Sequence, residues 1–260
     1  MPEPDHVFGD FSKRVAVMQP YLFPYFPYVQ LLACVDIFII FDTAQFIARG
    51  WANRNAINLN GNRHSFALPV EKHARSAPFT DIRFANNFDA ELCRIRTTLD
   101  HATRVGEFRS ASQALIDKTF PAPSNAQTPF VLAFERMAGA LMQYIGFETK
   151  MLRASQFSPR SETSAQDYIM RLVREAGGNH YINPIGGTAL YDSGSFVQQG
   201  LSLSFLKTMP KGDDGEKARS HLDLDLSILD SLAYHSPEDI LHRLRDFILI
   251  DETSRQTFGN

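Results

Sequence analysis

Two short stretches in the first quarter of the chain combine polar and aromatic side chains densely enough to bind a ligand. The first, QPYLFPYFPY over residues 19–28, carries Gln19, Tyr21 and Tyr25 among three prolines. Proline fixes the backbone angle φ before any ligand arrives. Tyrosine offers a flat face and a hydroxyl group to a sugar or a base, and an amide such as that of Gln19 can both donate and accept hydrogen bonds. The stretch predicts a preformed binding loop, and the alternative is an aromatic plug over the end of a sheet.

The second stretch, DTAQFIARGWANRN over residues 42–55, begins where an apolar run ends. Arginine can grip a phosphate or a carboxylate with two parallel hydrogen bonds, and tryptophan supplies a face for stacking. The alternative is that its two arginines are solvated surface charges. The candidate ligand-binding residues here are Gln45, Arg49, Trp51, Asn53, Arg54 and Asn55. Asp42 and His64 are the candidate general bases.

The elements around these stretches predict an α/β fold. RVAVM and IFIIFD are short apolar runs typical of strands, and the segment between them has the apolar spacing of a short helix. A continuous apolar strand fits a parallel sheet that is covered on both faces. Because the same order of elements returns in the second half, we expect a Rossmann-like, doubly wound, mainly parallel sheet with a helical insert or subdomain.

The chain divides into three parts that we expect to form one compact unit. Residues 1–85 are the N-terminal α/β half with both motifs, residues 86–148 are the helical insert, and residues 149–260 are the C-terminal α/β half. In the first part, NLNGNRH predicts a hairpin turn. In the last, HSPEDILHRLRDFILI predicts a closing helix with Ser236 as its N-cap.

A third candidate site lies in the segment NPIGG, between a predicted strand and a predicted helix. Gly186 and Gly187 can cradle a phosphate with backbone N–H groups. The spacing of a dinucleotide-binding loop and the lysine of a P-loop are both missing, so a tight strand-to-helix turn is the alternative. We expect no metal site, because His64 and His73 have no histidine partner at helical spacing.

Composition narrows the classes of partner. The 260 residues carry a formal charge of −3, with acidic and basic side chains mixed along the chain. This distribution argues against non-specific nucleic-acid binding. No apolar run approaches the roughly 20 residues that span a bilayer, and the first ten residues lack the pattern of a signal peptide. We therefore expect a cytoplasmic protein without membrane insertion.

Both stretches resemble the beginning of the WbqC-like family, whose pattern joins a QPY-F-PY segment to a D-x-x-QF-x-x-RGW-x-NRN segment. The similarity continues through HSFALPV and YINPIGG to LSILD. The chain has Thr43 where the family often has a second acid, and it lacks the tyrosine–glutamine pair before the closing motif. The matching positions are Gln19, Pro20, Tyr21, Phe23, Pro24, Tyr25, Asp42, Gln45, Phe46, Arg49, Gly50, Trp51, Asn53, Arg54 and Asn55.

The resemblance implies a role in O-antigen or related sugar pathways. Together with the polar stretches, it leads us to expect transfer of an acyl or aminoacyl group, such as glycine, to the amine of a nucleotide-linked amino sugar. Asp42 or His64 would take the proton. The donor stays open between a coenzyme A thioester, a thioester on an acyl carrier protein, an aminoacyl-tRNA and an adenylate.

Two other functions stay open. The strand, loop, helix and strand that end in D-x-x-QF resemble the opening of adenylate-forming enzymes such as pantothenate synthetases, although the histidine-bearing loop of those enzymes is missing. The first alternative is therefore an ATP-dependent adenylate-forming or nucleotidyl-transfer enzyme. The second is a non-catalytic protein that binds a nucleotide sugar or a partner enzyme.

Overall fold

Eight strands and eight α-helices form in the part of the chain that the computed structural model describes, residues 12–121, 126–161, 164–209 and 223–251. The strands are β1 (Arg14–Met18), β2 (Ile37–Ile40), β3 (Arg54–Leu59), β4 (Asn62–Ala67), β5 (Lys150–Arg153), β6 (His180–Pro184), β7 (Ser202–Thr208) and β8 (Phe247–Asp251). The helices are α1 (Phe26–Cys34), α2 (Phe88–Ala102), α3 (Arg109–Thr119), α4 (Phe130–Ile145), α5 (Ala165–Glu175), α6 (Ser193–Gln198), α7 (Ile228–Tyr234) and α8 (Pro237–Arg243).

Six strands make one sheet in the order β5-β2-β1-β6-β7-β8. All neighbours pair in parallel except β7 and β8, which are antiparallel. The predicted α/β class with a mostly parallel sheet is therefore confirmed. Numbered within this sheet along the chain, the order is 3-2-1-4-5-6, which is compatible with a Rossmann-like fold. Strand order reverses between β1 and β6, so a crevice is expected outside the carboxyl ends of those two strands.

Helices cover both faces of the sheet because its central strands alternate between two cores. Val15 and Val17 of β1 pack with α5 and α6, whereas Ala16 faces α1, α4 and α7. The helices of the predicted insert, α2, α3 and α4, pack into the same core as Ala16. Phe134 of α4 stacks on Phe38 of β2 with ring centroids 6.1 Å apart.

The predicted closing helix is confirmed at its start, but its predicted end is wrong. Ser236 caps α8 as expected, since its Oγ accepts a hydrogen bond from Asp239 N at 3.0 Å. The helix then ends at Arg243, and the apolar run that follows becomes β8 on the open edge of β7. The buried Gln30 of α1 fixes this ending, because its Nε2 donates to the carbonyl oxygen of Asp246 at 3.1 Å. A continued helix would use that carbonyl group internally.

In the described part of the chain, no helix combines the length and the apolar composition that a bilayer-spanning segment needs.

Gly106 lies in the turn between α2 and α3, where the backbone passes close to α7. A Cβ atom here would lie 2.4 Å from the carbonyl oxygen of Ala233, whereas a Cβ atom on Gly139 in α4 would meet nothing within 4 Å. We expect Gly106→Ala to lower the free energy of unfolding by about 1–3 kcal/mol. Gly139→Ala should raise it by about 0.5–1 kcal/mol. Urea denaturation measures both, and effects of the same sign would contradict this packing.

His180 of β6 is a buried titratable group between strands, with its Nε2 2.8 Å from Ser204 Oγ. Burial first, and then the charge of Arg14, lower the pKa of His180 to about 4. In the unfolded chain His180 therefore takes up a proton near pH 6.5, whereas in the folded chain it is protonated only near pH 4. Stability should fall by about 1–2 kcal/mol from pH 7 to pH 5 on this account. His180→Gln should flatten the slope in urea titrations, and an unchanged slope would contradict the assignment.

Candidate functional site

A cavity of about 810 Å³ opens at the carboxyl end of β1. Its wall combines aromatic rings with one guanidinium group and one carboxylate, from Arg63 and Asp225. The aromatic residues are Tyr21, Tyr25, Tyr28, Trp51 and Phe79, and the other lining residues are Met18, Gln19, Pro20, Ile47, Gly50 and Ala52. This volume falls in the range of pockets that hold small-molecule ligands.

The tyrosines pack on one another and are held in place by the loop that carries them. The ring centroid of Tyr21 lies 5.9 Å from that of Tyr25 and 5.8 Å from that of Tyr28. The hydroxyl group of Tyr28 donates to the carbonyl oxygen of Gln19 at 2.7 Å. Burial raises the pKa of Tyr21, and the neighbouring Tyr25 adds to the rise while Arg63 opposes it. These phenols are therefore neutral hydrogen-bonding groups at pH 7.

Phe23 holds the loop in a conformation that needs outside support. Its φ is +47°, in the left-handed region that a bulky residue rarely adopts. Its carbonyl oxygen accepts two hydrogen bonds, from Asn55 Nδ2 at 2.7 Å and from Ser227 Oγ at 2.8 Å. The chain thus fastens the loop at residues 19–25 to β3 and to the start of α7. Asn55 is buried and makes this contact. It also lines the second cleft described below, and its predicted role in ligand binding stays a prediction.

Two more predicted ligand-binding residues also bond within the protein. Asn53 Nδ2 donates to the carbonyl oxygen of Leu68 at 2.7 Å, and Leu68 N donates back to Asn53 O at 2.8 Å. Gln45 Nε2 donates to the carbonyl oxygen of Arg75 at 2.6 Å. These side chains anchor the two ends of the segment that carries Trp51. A role for them in ligand binding stays a prediction.

A tight turn carries Trp51 to the rim of the cavity. Gly50 N donates to the carbonyl oxygen of Ile47 at 2.9 Å, and a Cβ atom on Gly50 would lie 2.8 Å from that same oxygen. Trp51 is 68% exposed. Arg49 stands beside it, exposed and with a φ of +64°, and lies outside the described cavity lining. The turn therefore presents an indole face to solvent at the cavity entrance.

A second cleft, of about 410 Å³, lies along the β3–β4 hairpin, and its lining includes Asn55, Phe66 and Ala67. It shares Trp51 and Arg63 with the cavity and adds Arg54 and Ser65. Strand alternation places these residues together, since Arg54 pairs with Ala67 and Asn58 pairs with Arg63. The predicted hairpin on Asn60 and Gly61 is confirmed. The cavity and the cleft adjoin at Trp51 and Arg63, and we treat them together as the candidate site.

The two candidate general bases lie elsewhere. Asp42 is fully buried after β2, where its Oδ1 accepts from Ser155 N at 2.8 Å and its Oδ2 accepts from Ser155 Oγ at 2.5 Å. His64 pairs with Ile57, which places it on the hairpin face opposite Arg63. Neither is among the described residues that line the cavity or the cleft. A catalytic role for either stays a prediction.

Gly186 and Gly187 lie in a short 3-10 helix over Ile185–Leu190 at the end of β6. A Cβ atom on Gly187 would lie 2.1 Å from Asn183 Oδ1, so close packing accounts for this glycine. Both glycines are outside the described lining of the cavity and the cleft. Phosphate binding by this loop stays a prediction.

Sequence reasoning missed Arg63 and Asp225. The hairpin register is a signal that could have found Arg63, because it places residue 63 on the same face as Arg54. Asp225 reaches the cavity through tertiary contacts alone. Arg63 Nη1 donates to the carbonyl oxygen of Asp225 at 3.0 Å, and Ser227 N donates to Ala56 O at 2.8 Å. The charge of Asp225, after burial, raises the pKa of Tyr25.

The sequence model of the WbqC-like protein family matches residues 19–242, which hold the loop, the hairpin and Asp225. The chain belongs to the WbqC-like family. An uncharacterized protein of Mycobacterium tuberculosis is 24% identical to this WbqC-like protein over 205 residues, which cover 74% of this chain and 81% of the relative. A comparison with solved structures found no significant match.

The contact at Phe23 predicts a stability effect from a motif residue. Asn55→Ala should lower the free energy of unfolding by about 1–3 kcal/mol, because a buried carbonyl group loses a donor. Ser227→Ala removes the other donor, and a double-mutant cycle between the two should show coupling. Urea denaturation midpoints give both values.

Asn62→Ala is the matched control, since Asn62 lies exposed on the same hairpin. If Asn55→Ala and Asn62→Ala change the midpoint equally, Asn55 does not hold the loop.

Proposed function

We propose that this WbqC-like protein transfers an acyl or aminoacyl group, such as glycine, to the amine of a nucleotide-linked amino sugar. We place the reaction in the biosynthesis of O-antigen or related cell-surface polysaccharides. The observation that carries the proposal is the cavity wall itself, where aromatic rings, the guanidinium group of Arg63 and the carboxylate of Asp225 face one space.

Each part of that wall suits one part of such a ligand. Tyrosine and tryptophan faces pack on sugar rings and bases, and their polar groups bond to hydroxyl groups. Arg63 suits a phosphate. Asp225 suits an amine, because a carboxylate accepts hydrogen bonds from an amino or ammonium group and can take its proton.

The reaction forms a bond between the amine nitrogen and the carbonyl carbon of an activated donor. The bond from that carbon to the sulfur or oxygen of the donor breaks, the leaving group carries away the electron pair, and the amine loses a proton to a base. We assign the proton to Asp225, since this carboxylate lines the cavity. Asp42 and His64 are the alternatives, and both oxygens of Asp42 already accept hydrogen bonds from Ser155.

Catalysis in this scheme comes from positioning and proton transfer. A thioester of coenzyme A or of an acyl carrier protein is the donor class that we favour, with an adenylate as the other choice. Catalysis by this route needs no covalent acyl-enzyme intermediate, so no nucleophilic side chain has to lie in the cavity.

The binding test measures melting temperature against UDP- and dTDP-linked amino sugars. A ligand at about 100 times its dissociation constant should add roughly 2.7 kcal/mol to the stability of the folded state. Trp51→Leu should reduce that gain, because the rim loses its stacking face. Stabilisation by ATP and magnesium alone would favour an adenylate-forming enzyme instead, and the absence of any gain with nucleotide sugars would overturn the proposal.

The catalytic test compares Asp225→Asn with His64→Gln, using mass spectrometry to detect the new amide. Asp225→Asn keeps the shape and the backbone contact with Arg63 but loses the charge that takes the proton, so the rate should fall by about 10²–10⁴-fold, a larger loss than that in affinity for the nucleotide sugar. His64→Gln should keep the rate. The reverse result would assign the role of general base to His64.

A further inference from the structure

We infer that the cleft along the β3–β4 hairpin is a diphosphate subsite, in which Arg54 and Arg63 hold the two phosphoryl groups. The inference rests on the proposed function and fixes the direction of the ligand. The amino sugar enters the aromatic cavity, the diphosphate crosses the rim at Trp51, and the nucleoside lies outside.

The hairpin gives the cleft its shape. Arg63 and Ala67 are four residues apart on β4, and Arg54 pairs with Ala67. At the usual rise per strand residue the two arginines start about 13 Å apart along the ribbon. Ser65 lies between them on the same face. Two long cationic side chains with a small hydroxyl residue between them make a groove rather than a flat surface.

Neither of these two arginines is held in an ion pair with a described residue. Some arginines of the described chain do sit in ion pairs, such as Arg96 with Asp117 at 2.6 Å and Arg153 with Glu135 at 2.5 Å. Among the described residues, neither Arg54 nor Arg63 forms an ion pair. Arg63 gives Nη1 to a backbone carbonyl group, which leaves its other donors for a ligand.

The position of the cleft next to the cavity favours a phosphate-bearing ligand. Because Trp51 and Arg63 line both spaces, the two spaces adjoin, and a ligand longer than the cavity can reach the cleft past these residues. Two guanidinium forks match two phosphoryl groups, since each fork binds one phosphate through paired hydrogen bonds. Asp225 lines the cavity and not the described cleft, so the amine end lies inside.

Arg54 is the residue that separates the two spaces experimentally, because it lines the cleft and not the described cavity. The probes are inorganic pyrophosphate, UDP, uridine, a free amino sugar and a UDP-linked amino sugar, each measured by calorimetry. Arg54→Ala should weaken the binding of pyrophosphate, UDP and the UDP-linked sugar by about 10–100-fold. It should leave the binding of uridine and of the free amino sugar unchanged.

Arg104→Ala is the matched control, since it removes the same charge from an exposed position on the α2–α3 turn. It should leave all five affinities unchanged. Equal losses in the two variants would overturn the subsite, because they would report only the general charge of the surface. Arg54 is exposed at the start of β3, so the fold should survive its removal, and an unchanged urea midpoint checks this.

The outcomes distinguish this inference from the proposed function. In one outcome, Arg54→Ala binds pyrophosphate and UDP more weakly while the wild type binds the UDP-linked amino sugar no more tightly than UDP. That result would support the subsite and contradict the proposed transferase. If the UDP-linked amino sugar binds Arg54→Ala with full affinity, the proposed transferase stands and the diphosphate subsite falls.

Discussion

Two hydrogen bonds to the carbonyl oxygen of Phe23 hold together the three segments that build the candidate site. The donors come from β3 and from the residue that caps α7, so one oxygen atom joins the proline-rich loop, the hairpin and the C-terminal part of the chain. A left-handed backbone at a bulky residue persists only when its surroundings determine it. The position of the tyrosines therefore depends on contacts made far along the sequence from them.

The structure shows that the residues of the WbqC-like motif have two different roles. Within residues 51–55, Trp51 and Arg54 are exposed, whereas Asn53 and Asn55 are buried and donate hydrogen bonds to backbone carbonyl groups. Some residues of the motif thus meet solvent, and others fix the geometry. A sequence pattern cannot separate these two roles, because the amide of asparagine can hydrogen-bond either to a ligand or to a backbone carbonyl group.

The sequence predicted those elements whose signal is local. A buried parallel strand is a continuous apolar run, which identified β1 and β2, and Asn60 with Gly61 identified the hairpin. β5 was missed because its KMLR has four residues, two of them charged, and none fully buried. β8 was misread because its apolar run continues a helical pattern, and the open edge of β7 decides the outcome. Asp225 was beyond reach, since its contact with Arg63 spans 162 positions.

The chain has a single tryptophan, and that tryptophan is an exposed residue that lines both the cavity and the cleft. The wavelength of indole fluorescence depends on the polarity of its surroundings, so all tryptophan emission of this protein comes from the boundary between the two spaces. The molecule therefore carries an intrinsic optical reporter at its candidate site. Excluding water from that one ring shifts the whole emission spectrum to the blue, which makes site occupancy readable without a label.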